Sequence, residues 1–253
     1  MKIGVIGYAR HALRHINIIS QYADVVVYHP HKEGVCNDFE QILSCDGVVI
    51  SSPTKTHIHY VNMLKGYKGT VYLEKPGFEE LDEVDVLYNT SLNLMIGYHF
   101  PYCDSIRRIK GKEIISISIN DCKMISDLEW FANDWRAEPN KIVSTVLCHA
   151  ISVYRFLCGD NEIDIRSFGY SASATTTSMP LLNAFCSWSA PYDKYIRIIT
   201  KEEVIHLDEA FRIDNSVIHF LRSTNEGLIF SKDQLTKDII IGRMCKMVDT
   251  SWN

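Results

Sequence analysis

With 253 residues, 46% of them hydrophobic, the chain can fill one large core or two modest ones. A net charge of −5 with no cluster of Lys or Arg argues against a nucleic-acid partner, and no apolar run approaches the ~18 residues of a membrane span. The cysteines Cys36, Cys45, Cys103, Cys122, Cys148, Cys158, Cys186 and Cys245 are scattered without C-x-x-C pairs and the N-terminus enters a strand-like run at once, so the expectation is a soluble cytoplasmic protein with reduced thiols and no metal site.

Lys2–Ile6 reads as a strand, Gly7-Tyr8-Ala9-Arg10-His11-Ala12 as a tight turn, and residues 13–19 as a helix. That order is a dinucleotide-binding unit, whose helix start offers free N–H groups and a positive dipole end to a pyrophosphate. Gly7 keeps the glycine that the turn needs, while Ala9 and Ala12 replace the two that permit close phosphate approach and close helix packing. Asp24–Tyr28 predicts a second strand, running into His29-Pro30-His31-Lys32. No Asp or Glu stands there to hold ribose hydroxyls, and a 2′-phosphate would meet His29, His31 and Lys32, so NADP is favoured over NAD.

Residues 38–44 suit a short helix and Gly47–Ile50 a strand buried on both faces. Ser51-Ser52-Pro53-Thr54 follows, then a helix over 56–65 with Ile58, Val61 and Leu64 on one side. Thr70–Leu73 is the next strand and ends in Glu74-Lys75-Pro76; 81–92 predicts a helix and 94–97 a strand. An ammonium at the carboxyl end of a sheet strand lies where open α/β sheets bind ligands, and Lys75 there can hydrogen-bond a substrate oxygen. Beyond Pro101 the rhythm changes to longer β-rich stretches at 113–120, 163–173, 195–200 and 203–207, with a helix over 142–157. The expected fold class is therefore α/β: a doubly wound parallel sheet of Rossmann type over 1–100, then an α+β domain with a large, mostly antiparallel open sheet over 101–253.

Taken together these segments resemble the glucose-fructose oxidoreductase/inositol dehydrogenase (Gfo/Idh/MocA) family over nearly the whole chain. The resemblance rests on Gly7 to His15, on Ser51-Ser52-Pro53-Thr54-Lys55-Thr56-His57, on Glu74-Lys75-Pro76, on Gly97-Tyr98-His99-Phe100, and on Asp134-Trp135-Arg136-Ala137-Glu138-Pro139 followed by His149 and Tyr154-Arg155-Phe156-Leu157. It implies hydride transfer between a nicotinamide and a carbinol carbon of a sugar, sugar nucleotide or cyclitol. It also implies a homodimer or homotetramer formed through the C-terminal sheet. Lys75 would hold the substrate oxygen and His149 would be general acid or base, with Tyr98 a substitute. The same resemblance gives cofactor contacts from Gly7, Tyr8, Ala9, Arg10, His11, Ala12, Ser51, Ser52, Pro53, Thr54, His57, Glu74 and Lys75, and a substrate wall from Trp135 and Arg136.

Each residue also has a plain reading. His149 among Val146, Leu147, Cys148 and Ile151 suits a core histidine, Trp135 and Arg136 suit packing and a surface charge, and the neighbourhood of a helix N-terminus explains His57 structurally. The family pattern places aspartates at the positions held here by Thr145 and Ser152, and a glycine-rich stretch where this chain has Asn140-Lys141-Ile142-Val143-Ser144. An imidazole without an orienting carboxylate loses support for its charged form. Two alternatives follow: a non-catalytic dinucleotide-binding sensor, and a reductase of a non-sugar such as a linear tetrapyrrole.

Overall fold

Short runs dominated by Val and Ile build the first sheet of the computed structural model, which describes residues 1–77, 83, 86, 90–125, 141–159, 161–207, 212 and 214–223. The strands β1 (Lys2–Ile6), β2 (Asp24–Tyr28), β3 (Gly47–Ile50), β4 (Thr70–Leu73) and β5 (Asn93–Ile96) pair in parallel in the order β2-β1-β3-β4-β5. β3 and β4 are buried at every residue, as continuous apolar runs in a parallel sheet must be. From β1 the chain goes to one side for β2 and to the other for β3, so the order reverses between β1 and β3. At such a reversal the loops leaving the carboxyl ends diverge and open a crevice.

A helix lies in each connection from β1 to β4. α1 (Arg10–Ile19) buries Ala12, His15 and Ile19, one stripe at helical spacing, and begins three residues before the predicted start. α2 (Glu40–Leu43) is a single turn. α3 (His57–Met63) is preceded by a 3₁₀ turn, Thr54–Thr56. The helix expected over 81–92 lies almost wholly outside the described residues.

The chain divides into two compact units, and the division is not a single cut. Met1–His99 is joined by a helix from near the C-terminal end, α6 (Asp214–Ser223), which a boundary at residue 100 assigns to the second domain. Ser216 shares a hydrogen bond with the Tyr72 hydroxyl (3.0 Å), the Phe220 ring meets Tyr72 edge-on at 5.7 Å, and Phe220 also reaches the backbone face of Gly47.

The other unit, within Phe100–Arg212, is built on a six-stranded sheet. Its strands are β6 (Ile114–Cys122), β7 (Asp164–Phe168), β8 (Ser171–Thr175), β9 (Leu181–Ser187), β10 (Asp193–Thr200) and β11 (Val204–Leu207), in the order β11-β10-β6-β9-β8-β7. Only β6 and β9 run parallel, so the sheet is mostly antiparallel, as expected. The short helix α4 (Asp104–Arg108) precedes it. α5 (Cys148–Cys158), with a π-helical turn at Val143–Leu147 leading into it, covers one face, where the buried Ala172, Ala174 and Ala184 leave it room. Alternate residues of the opposite face, among them Phe168, Leu181, Phe185, Tyr195 and Val204, are exposed. Among the described residues no helix is long and apolar enough to cross a membrane, and no cluster of His, Cys, Asp and Glu could hold a metal ion.

Candidate cofactor and substrate site

At the carboxyl edge of the first sheet the ladder runs on past the strand ends. The N–H of Gly7 donates to Tyr28 O (3.0 Å), Ser51 to Ile6 O (2.9 Å), Glu74 to Ile50 O (2.9 Å) and Gly97 to Leu73 O (2.8 Å). Four of the sequence-predicted segments are thereby brought to one edge by backbone hydrogen bonds alone. Gly7 sits at φ +120°, and a Cβ added to it would lie 2.5 Å from the Ser51 carbonyl oxygen, so a side chain is excluded both by conformation and by space.

Directly after this turn, α1 starts on Ala9, whose side chain caps nothing, and its first turn carries no acid but holds Arg10 and His11. Its uncapped N–H groups and positive dipole end fit a phosphate. Ser51, facing Gly7, is buried and its hydroxyl has no hydrogen-bond partner among the described residues. A cradle that only glycine permits, an uncapped helix start and an orphaned hydroxyl suit a dinucleotide, with Gly7, Tyr8, Ala9, Arg10, His11, Ala12 and Ser51 the residues placed to hold it. Ser52 is half-buried, Pro53 is exposed and Thr54 is buried, so of these three Thr54 is turned inward.

Behind the turn lies a charge that sequence reading did not pair. Glu74, 7% exposed, accepts from His15 Nε2 through Oε1 (3.0 Å) and from the N–H of Lys75 through Oε2 (2.9 Å). Burial raises the carboxyl's pKa, but the His15 hydrogen bond and the positive charges of His15, Lys75 and His11 outweigh it and hold the group well below the usual carboxylate range. An ionised Glu74 makes His15 Nε2 the donor, while His15 Nδ1 is buried and unpartnered among the described residues. With an oxygen turned to His15 and the other to the N–H of Lys75, Glu74 serves as a support beneath Lys75. Lys75 itself is half-exposed and precedes a cis peptide to Pro76.

His57 is likewise engaged by its own surroundings. It is 1% exposed, and both ring nitrogens face main-chain carbonyls, Nδ1 at 3.1 Å from Pro76 O and Nε2 at 2.9 Å from Ser52 O. No polar atom of the ring is left for a cofactor; the histidine ties the loop after β3 to the loop after β4.

At the end of β2, Lys32 Nζ stands 5.2 Å from the centre of the Tyr8 ring, which joins the two loops expected around an adenosine ribose. His29 Nδ1 accepts the N–H of His31 (3.2 Å) within the turn. Lys32 and His31 are both exposed at this turn.

In the second unit, the π-helical turn leads into α5, and His149 follows its first residue. The ring is 4% exposed and stacks on Phe100, centroids 4.8 Å apart at 21°. Where the family pattern has carboxylates, Thr145 Oγ1 donates to Lys141 O (2.6 Å) and Ser152 Oγ to His149 O (2.6 Å), so both hydroxyls close back on their own helix. Tyr98 is fully buried, in the company of core tyrosines such as Tyr72. Trp135 and Arg136 lie outside the described residues.

No protein-family model and no curated protein matches this chain. Solved structures do match its fold along nearly the whole length. The UDP-N-acetylglucosamine 3-dehydrogenase of Acidithiobacillus ferrooxidans covers 96% of this chain and 95% of its own, with a TM-score of 0.74 at 15% identity. The scyllo-inositol dehydrogenase of Lactobacillus casei gives 96% and 94%, with a TM-score of 0.74 at 16% identity. The WlbA dehydrogenase of Thermus thermophilus, solved with NAD and α-ketoglutarate, gives 98% and 96%, with a TM-score of 0.73 at 14% identity. The fold of this chain is thus that of Gfo/Idh/MocA-type dehydrogenases.

Proposed function

We propose that this chain is an NAD(P)-dependent oxidoreductase that transfers a hydride between a nicotinamide cofactor and a hydroxyl or keto carbon of a sugar, sugar nucleotide or cyclitol. What carries this reading is the carboxyl edge of the first sheet: the Gly7 cradle, the uncapped start of α1 and the orphaned Ser51 hydroxyl stand on the same edge as Lys75. The dehydrogenases that share its fold act on substrates of this kind, as their names state. The cofactor supplies the hydride chemistry. The chain's own residues bind, orient and handle the proton: the Lys75 ammonium holds and polarises the reacting oxygen, and His149 exchanges its proton, with Tyr98 the substitute donor.

Trp135 and Arg136 complete the substrate site in this reading, and the enzyme works in the cytoplasm as a homodimer or homotetramer. The preferred cofactor is NADP(H), because His29, His31 and Lys32 follow β2 and no Asp or Glu stands among them. A second reading, a dinucleotide-binding sensor without turnover, is favoured by one observation: where the family pattern has carboxylates, Thr145 and Ser152 supply hydroxyls that donate to carbonyls of their own helical segment, so no carboxylate stands at either position.

Turnover measurements on wild type, Lys75→Met and His149→Asn, together with NADPH and NADH titrations by fluorescence, decide between them. Lys75→Met should lose most turnover with cofactor affinity nearly unchanged, and His149→Asn should lose about 10²–10⁴-fold. Binding of dinucleotide without turnover on any sugar, sugar nucleotide or cyclitol selects the sensor. Absence of binding at millimolar concentration removes both.

A further inference from the structure

The two contacts of His57 cannot both be made by a neutral ring. A carbonyl oxygen only accepts, and neutral imidazole offers one N–H and one lone pair. In either tautomer one of the two contacts, 3.1 Å to Pro76 O or 2.9 Å to Ser52 O, sets a lone pair against a lone pair. Imidazolium satisfies both. Burial works in the opposite direction and moves the ring's pKa below its ordinary value, while the Ser52 and Pro76 carbonyls and the carboxylates of Glu74, at the end of β4, and Glu83, in the segment beyond, draw a proton back. The site's geometry therefore fits the charged ring and its dryness fits the neutral one, which makes occupancy of the second hydrogen bond depend on pH.

The two carbonyls belong to different loops. Ser52 adjoins Ser51, whose carbonyl bounds the Gly7 cradle, and Pro76 adjoins Lys75. We propose that His57 is a proton-operated clasp: the imidazolium donates to Ser52 O and Pro76 O together and fixes the β3 and β4 loops in one register, whereas the neutral ring holds only one of them. His57 is then a positioning residue that acts on Lys75 and Ser51 without touching a ligand. Its effect on cofactor binding rests on the oxidoreductase reading above; the clasp itself does not.

Two measurements on the full-length chain separate these. In the ligand-free, isotope-labelled protein, the ring nitrogens of His57 and the carbonyl carbons of Ser52 and Pro76 are followed by NMR between about pH 5 and pH 8, around the ordinary histidine range. Expected are two protonated ring nitrogens at the acid end and a shift of both carbonyls with the same midpoint, below the ordinary ~6.5. A ring that keeps one bare nitrogen throughout, or carbonyls that ignore its titration, overturns the proposal. The second measurement uses NADH, which has no 2′-phosphate and so is blind to His29 and His31. Wild type should bind it roughly 5- to 10-fold more tightly at the acid end, the size of an ordinary coupling between sites, and His57→Gln should flatten the profile. A flat wild-type profile, or a slope that survives in His57→Gln, overturns the coupling. No NADH binding at any pH overturns the oxidoreductase reading and leaves the ring titration to decide the clasp.

Discussion

Glu74 and His15 are each poorly suited to an apolar interior, and each is tolerable there only because the other is present. The carboxylate would be an uncompensated charge without the imidazole donor, and removing one partner of such a buried pair costs about 3–5 kcal/mol. His15→Leu should therefore lose stability of that order in urea unfolding at neutral pH. The double variant His15→Leu/Glu74→Met, which removes both polar groups, should recover most of it. The pH dependence has a definite sign. Because the fold holds Glu74 below its ordinary 4.5, the carboxylate contributes stability above that value and loses it as pH falls through the lower, folded-state value. The gap between wild type and Glu74→Gln should accordingly shrink on acidification; a gap that widens rules out an ionised Glu74.

Among the elements, the strands were legible because both faces of a parallel sheet are covered and the sequence has to show unbroken apolar runs. Lys2–Ile6, Asp24–Tyr28, Gly47–Ile50 and Thr70–Leu73 form with the predicted bounds. The start of α1 was less visible because Ala9 is not a residue that caps helices, so nothing in the sequence marks the boundary. The π-helical turn before His149 has no compositional signal at all. The placement of the Gly7, Ser51 and Lys75 segments at one sheet edge was legible, because motif and strand end coincide there. The contacts of Glu74 and His57 were not legible, because their partners lie 59 and 19 residues away and are set by tertiary packing. α6 shows the same limit: Val217, Phe220 and Leu221 have helical spacing, but nothing local says that they return to Tyr72, 144 residues before Ser216. Phe220 is fully buried, so Phe220→Ala should destabilise by about 3–5 kcal/mol in thermal or urea unfolding. Ser216→Ala, which leaves the Tyr72 hydroxyl without that partner, should cost about 1–3 kcal/mol.

At the scale of the whole molecule, the exposed face of the six-stranded sheet matters most. Phe185 and Tyr195 flank Asn120 in register across β9, β6 and β10, and the same face carries Leu181 and Val204. Apolar groups spread over one sheet face are what a subunit contact requires. If the proposed oligomer forms through this face, Phe185→Glu together with Tyr195→Glu should convert it to monomer in light scattering, with the far-UV circular dichroism unchanged. A protein that is monomeric before the substitutions would remove the proposed assembly.

The return of α6 to the first sheet also sets an order of events at the ribosome. Residues 1–99 are made first, yet the patch around Tyr72 and Gly47 that Phe220 covers stays bare until the chain has grown through Ser223. At roughly 5–20 residues per second that interval is on the order of 6–25 s. Throughout it, a nascent sheet displays an aromatic patch to solvent and to any chaperone near the exit tunnel, so a chain truncated by premature termination before α6 would carry a built-in mark of incompleteness.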